Sequence, residues 1–194
     1  MNNKIVHYGL VLLLFCAIAG GVLAFVNGFT EPVIAQAEFE KSVEAYEGIY
    51  GDLATDFEPM DEEITLKLQE QIPEIDDIFI AKNGEEVIGY GINFKANGYG
   101  GEMINAVGLL NDKTMAGFKN ISHAETPGIG AQITEAFYED SFVGTSFEGG
   151  SVVGSPSGQG ENEIMLISGA TISTSGVLNA LNNVLANYDA IAAQ

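Results

Sequence analysis

Residues 9–26 contain no charged side chain, and nothing else in the chain narrows its folding options as much. Counted from Ile5 to Val26 the apolar run is 22 residues, about 33 Å of helix at 1.5 Å per residue, which is enough to cross a bilayer. A cleaved leader has a shorter apolar core and a small-residue cleavage site after it, and neither is seen here. Cys16 sits inside the run behind Phe15, where a lipid-anchor site would want a small residue, so it reads as a small hydrophobe with no disulfide partner. Lys4 and the N-terminal amine lie on one side of the run, and all 27 acids lie from Glu31 onward. The distribution of basic residues places the N-terminus in the cytoplasm and the body of the chain outside it, in a single-pass cell membrane protein.

That body is strongly acidic. Six lysines face 27 acids beyond the apolar run, a net charge of −21, which argues against nucleic acid and anionic lipid surfaces as partners. The chain has no Arg, so any phosphate would have to be held by Lys, backbone amides and hydroxyls rather than by a guanidinium fork. Its 194 residues suffice for one membrane segment and one domain of ordinary size.

Three regions are expected: residues 1–29 as the cytoplasmic N-terminus and transmembrane helix, 30–74 as a stalk helix and acidic connector, and 75–194 as the folded domain. Thr30 as a cap and Pro32 in the first turn mark a helix start, with Val33, Ile34, Ala37, Val43, Tyr46 and Ile49 along one side. Residues 52–63 are acidic and contain Pro, the composition of a solvated connector. From 75 to 121 the signals are those of antiparallel strands. An Asn83-Gly84 turn precedes a run in which Ile88, Tyr90, Ile92 and Phe94 alternate with Gly89, Gly91 and Asn93. One face of that strand is apolar and the other nearly bare, which allows a helix or a flat ligand to lie close against it and is equally explained by weak packing alone. A glycine-rich loop at 97–101 and a second hairpin over 103–121 follow. Ile133, Phe137 and Tyr138 then suggest a helix, and Ile164, Leu166 and Ile167 a closing strand, in an α+β domain.

Two stretches carry chemistry. Ser168-Gly169-Ala170-Thr171 with Ser173 and Thr174 opens a terminal helix, shown by Val177, Leu178, Leu181, Val184 and Leu185. The free amides of such a terminus favour an anion, and the small Gly169 and Ala170 let a phosphate approach. Equally, Thr171 or Ser173 can simply cap the helix. The second stretch, His123-Ala124-Glu125-Thr126-Pro127-Gly128-Ile129-Gly130, is a Pro-Gly turn directly after a strand. His123 in it reads as a hydrogen-bonded loop residue, and no metal site is expected.

Together these stretches resemble the two signatures of the FMN-binding domain family, in the same order and some forty residues apart. With the single N-terminal anchor, the resemblance is closest to the G-subunit family of the Rnf electron-transport complex. The C subunits of sodium-pumping NADH:quinone reductase form the sister family. The resemblance implies an FMN, one per chain, joined through a phosphoester to Thr171. Ser168, Gly169, Ala170, Ser173 and Thr174 would surround its phosphate. Glu125, Thr126, Pro127, Gly128, Ile129 and Gly130 would border the ring, with Tyr99 in the looser glycine-loop match. Met165 stands where the family pattern usually has an acid, and Glu163 is the nearest carboxylate. The implied role is electron relay between ferredoxin and NAD in an ion-translocating membrane complex. Its implied partners are the other Rnf subunits and a maturing flavin transferase, and no residue acts as catalytic acid, base or nucleophile. A stand-alone anchored flavoprotein and a cofactor-free anchored binding domain are the competing readings.

Overall fold

The computed structural model describes residues 2–194, which fall into two units divided between Lys41 and Ser42. Helix α1 is Asn2–Tyr50. Within it Val6–Thr30 has a mean hydropathy of 2.7 and none of its most apolar window is covered by protein, as a lipid-facing helix requires. The expected helix start at Thr30 is not there. The Thr30 hydroxyl donates back to the Asn27 carbonyl at 3.3 Å instead of accepting from the next turn, so it does not cap, and α1 continues through Pro32. Ala37 is exposed, and the side chains of Val33 and Ile34 lie outside the described residues.

The second unit is built on a five-stranded antiparallel sheet in sequential order: β1 (Asp56–Pro59), β2 (Ile75–Asn83), β3 (Glu86–Asn97), β4 (Glu102–Leu110) and β5 (Met115–Ser122). The β3–β4 register runs without a shift from Gly89↔Leu110 to Asn97↔Glu102. The β2–β3 loop is Gly84-Glu85, one residue later than the Asn-Gly pair suggests. Gly84, at φ +66, takes the first central position.

Alternation along β3 decides what covers each face. Tyr90, Ile92 and Phe94 point into the main core with β4 residues Met103, Val107 and Leu109. That core is closed by helix α4 (Thr171–Ala186) through Val177, Leu181, Val184 and Leu185. The bare side of β3 takes the last turns of α1, where Tyr46, Ile49 and Tyr50 are buried. A Cβ at Gly91 would lie 2.5 Å from the Tyr46 ring, and one at Gly108 would lie 2.5 Å from Ile49. The glycines are therefore there for a helix. Tyr46 also donates to Asn93 Oδ1 at 2.7 Å, and Asn93 Nδ2 donates to Ser42 at 2.8 Å.

Residues 52–63 are not a solvated connector throughout. Asp56–Pro59 is edge strand β1, paired with β2, and Phe57 packs on Tyr46 and Tyr50 while Glu58 pairs with Lys82. An edge strand tolerates a terminal Pro and outward acids, which is why its composition resembles a loop. Asp61 then caps helix α2 (Glu62–Gln71), accepting from the amides of Glu63 and Ile64 at 3.0 and 3.3 Å.

The helix expected after Gly130 is broken into a 3-10 turn, Gly130–Thr134, and the one-turn helix α3 (Ala136–Glu139), with Glu135 extended between them. The break changes the phase, so Ile133 and Tyr138 are buried while Phe137 is turned outward. The closing strand is Glu163–Met165 (β7), paired in parallel with Val153–Ser155 (β6), and Leu166 and Ile167 lie beyond it. The short helix α5 (Tyr188–Ala192) ends the chain's regular structure.

Candidate functional site

Three segments far apart in sequence meet at one carboxylate. Glu125, only 6% exposed, accepts from the Ser173 hydroxyl at 2.7 Å and from the Gly100 amide at 2.8 Å. Its own amide donates to His123 Nδ1 at 3.1 Å, so His123 is a loop residue satisfied within its own turn. Glycines make the room. An added Cβ would lie 2.1 Å from Glu125 Oε1 at Gly98, 2.1 Å from the Ala124 carbonyl at Gly100, and 1.9 Å from Glu125 Oε2 at Gly130. At Gly176 it would strike the Asn97 carbonyl at 2.0 Å, so the first turns of α4 lie directly on the end of β3. A larger side chain at any of these positions would drive the segments apart.

Above this junction lies a cavity of about 370 Å³, lined by Tyr99, Glu125, Thr126, Ile129, Gly130, Gly169, Ala170, Thr171, Ile172 and Ser173. Its volume falls within the roughly 300–1,000 Å³ usual for small-molecule sites. The rim is apolar and accessible, with Tyr99 72%, Ile172 59% and Ile129 50% exposed.

The floor beside α4 is polar without being charged. Ala170 occupies the N-cap position, and no side chain caps the helix among the described residues, so neither Thr171 nor Ser173 is the cap. The Ser173 hydroxyl is committed to Glu125, and Thr174, fully buried, donates to the Ala170 carbonyl at 3.1 Å. Thr171 is exposed at the first helical position and its hydroxyl has no hydrogen bond among the described residues. The first intrahelical amide bond is Thr174 to Ala170, which leaves the amides of Thr171, Ile172 and Ser173 without an acceptor among the described residues. Gly169 reaches this corner with φ +85, a conformation a β-branched residue resists.

Of the residues expected at a site, Tyr99, Glu125, Thr126, Ile129, Gly130, Gly169, Ala170, Thr171 and Ser173 come together around the cavity. Ser168, Pro127, Gly128 and Thr174 do not line it. Ser168, Pro127 and Gly128 are exposed. Pro127 and Gly128 instead form a turn closed by the Ile129 amide on the Thr126 carbonyl at 3.1 Å, with Gly128 at φ +73. Ile172 lines the cavity although the sequence reasoning does not single it out. Its one signal is that of an apolar residue at the head of α4 lying off the buried stripe of Val177, Leu181 and Val184. Glu163 is engaged by the Ser155 hydroxyl at 2.6 Å and the Gly160 amide at 3.1 Å, away from the cavity wall.

Comparison with known proteins assigns the same two parts of the chain. Residues 98–186 match the FMN-binding domain family, and residues 1–45 match the RnfG N-terminal region. The G subunit of the Na(+)-translocating ferredoxin:NAD(+) oxidoreductase complex of Acetobacterium woodii is 30% identical over 187 residues, covering 93% of this chain and 89% of that protein. The chain belongs to this G-subunit family. A second family member, the G subunit of the proton-translocating ferredoxin:NAD(+) oxidoreductase complex of Clostridium ljungdahlii, is 28% identical over 177 residues, covering 89% of this chain and 88% of its own length. The crystal structure of the C subunit of Na(+)-translocating NADH-quinone reductase from Parabacteroides distasonis aligns with a TM-score of 0.54 at 24% identity. That alignment covers 70% of this chain and 76% of the other, a likeness of fold. With its apolar span at Val6–Thr30, this member of the G-subunit family is a single-pass membrane protein.

Proposed function

We propose that this G-subunit protein is the FMN-carrying redox component of an ion-translocating ferredoxin:NAD(+) oxidoreductase, with one FMN esterified through its phosphate to Thr171 Oγ1. The observation that carries the reading is the Thr171 hydroxyl itself. It is exposed and, among the described residues, unbonded, beside three helix-terminal amides that are likewise free, at the wall of a cavity with an apolar rim. The residues fit the group. A phosphate at this terminus gains charge-dipole stabilisation of about 0.3–2 kcal/mol in addition to its hydrogen bonds, with no arginine needed. Tyr99, Ile129 and Ile172 offer apolar surface to a flat ring, and Gly98, Gly100 and Gly130 keep the wall thin enough for the three segments to close.

The flavin supplies the redox chemistry, and the chain supplies orientation, burial and electrostatics. No residue acts as acid, base or nucleophile during turnover. Attachment requires a flavin transferase, and the covalent bond keeps the cofactor where a lost one would not be replaced from the cytoplasm. The domain lies outside the cytoplasm, in complex with the other membrane subunits, and the acid-only flank after the apolar run supports that orientation.

Visible flavin absorbance that survives denaturation and gel filtration is the expected result for protein matured with the transferase. A colourless denatured chain overturns the covalent reading. For orientation, Glu85→Cys in the exposed β2–β3 loop should react with an impermeant thiol reagent on intact cells. Labelling only after lysis reverses the topology.

A further inference from the structure

Among the described residues Glu125 is the only carboxylate lining the cavity, and it is buried there without a cation. The lysine ion pairs among the described residues are made with Glu58, Asp76, Asp189 and Glu139, and none involves Glu125. Nor is there any charged residue from 164 to 188, the stretch that forms the opposite wall and α4. Both carboxylate oxygens accept, Oε2 from Ser173 and Oε1 from Gly100. Burying an acid this way is costly when an apolar or amide side chain could fill the same space. Gly98, Gly100 and Gly130 are nonetheless shaped around it.

We infer that Glu125 sets the reduction potential of the flavin, holding it below the value that a neutral wall would give. The inference rests on the proposed function, since it needs the ring in this cavity. Reduction adds electrons to the ring, and a fixed negative charge in a low-dielectric wall opposes that change while leaving the oxidised ring almost unaffected. The two donors hold the carboxylate in place and offset part of its charge. Ser173 is thus a positioning residue for Glu125, and its contribution has the opposite sign.

The test is a spectroelectrochemical titration of the covalently loaded full chain in detergent at mildly alkaline pH, comparing wild type, Glu125→Gln and Ser173→Ala. Gln can keep both contacts, its carbonyl on the Gly100 amide and its NH2 on a rotated Ser173 hydroxyl. Glu125→Gln should move the reduction equilibrium at least tenfold toward the reduced form, about 30 mV upward for a two-electron couple. Ser173→Ala, which keeps the charge and removes a donor from it, should move the equilibrium the other way by a smaller factor. A merely structural role would lower the melting temperature or the flavin loading and leave both potentials where they are. An unchanged potential in folded, loaded Glu125→Gln overturns the inference. Should that variant fail to fold, an unchanged or raised potential in Ser173→Ala overturns it. Flavin absent from the wild type overturns the underlying reading instead, and is seen before any potential is measured.

Discussion

The two faces of the sheet use the same devices to different ends. On one, glycines at 91 and 108 let Tyr46, Ile49 and Tyr50 sit against the strands, and a buried polar chain from Tyr46 through Asn93 to Ser42 is satisfied internally. Where α4 meets the end of the other, glycines outside the strands, at 98, 100 and 130, surround Glu125, yet beside them stand a cavity and, among the described residues, three free amides and an unbonded hydroxyl. Close approach by glycine is therefore not what marks a site. The difference is polar capacity: the α1 face consumes it and the α4 end leaves some of it unused.

Breaking the first face should cost stability alone. Tyr46→Ala removes a fully buried ring that packs on Phe57 and Phe79, a loss of about 3–5 kcal/mol, and covalent flavin should persist in whatever fraction folds. Chemical denaturation and in-gel flavin fluorescence read the two effects separately. Gly130→Ala on the second face should cost about 1–3 kcal/mol through overpacking against Glu125. It should also reduce flavin loading, because the wall itself is displaced, and equal loading with wild type would show that the cradle is only packing.

Alkali probes the first face differently. Burial pushes the phenols of Tyr46 and Tyr50 up, so the folded state keeps protons that the unfolded state releases near its ordinary value of about 10. Their contribution is fully present below that pH and is lost above it, by about 1.4 kcal/mol per pH unit for each phenol. Tyr50→Phe should flatten the alkaline limb of a stability-against-pH curve, and an unchanged limb would contradict the assignment. Thr174→Ala, which removes one buried hydroxyl bond to the Ala170 carbonyl, should cost about 1 kcal/mol and leave flavin attachment intact.

The apolar span, the alternation of β3 and the hairpin of β4 and β5 were legible because each is written in a local period. The motif segments at 125–130 and 168–174 were legible as short signatures, and most of their residues do meet at the cavity. What was not legible depends on tertiary partners. Strand β1 looks like a loop because only Phe57 turns inward from it, and Thr30 looks like a cap although the helix runs through it. Ser173 reads as a possible cap from its neighbours, yet its hydroxyl is taken by Glu125, 48 residues earlier. Ile172 was hidden by the opposite effect, since an exposed apolar residue on a helix carries no signal until a cavity is seen beside it.

The most direct test is attachment itself. Thr171 is exposed and makes no hydrogen bond among the described residues, so Thr171→Ala should change stability by less than about 0.5 kcal/mol, the smallest effect considered. The same substitution removes the side-chain oxygen that would carry the proposed phosphoester. Intact mass after co-expression with a flavin transferase should show the FMN increment on wild type, Thr171→Ser and Thr174→Ala, and its complete absence from Thr171→Ala. An increment on folded Thr171→Ala would contradict the account, placing the bond on another residue and leaving this helix start without its role.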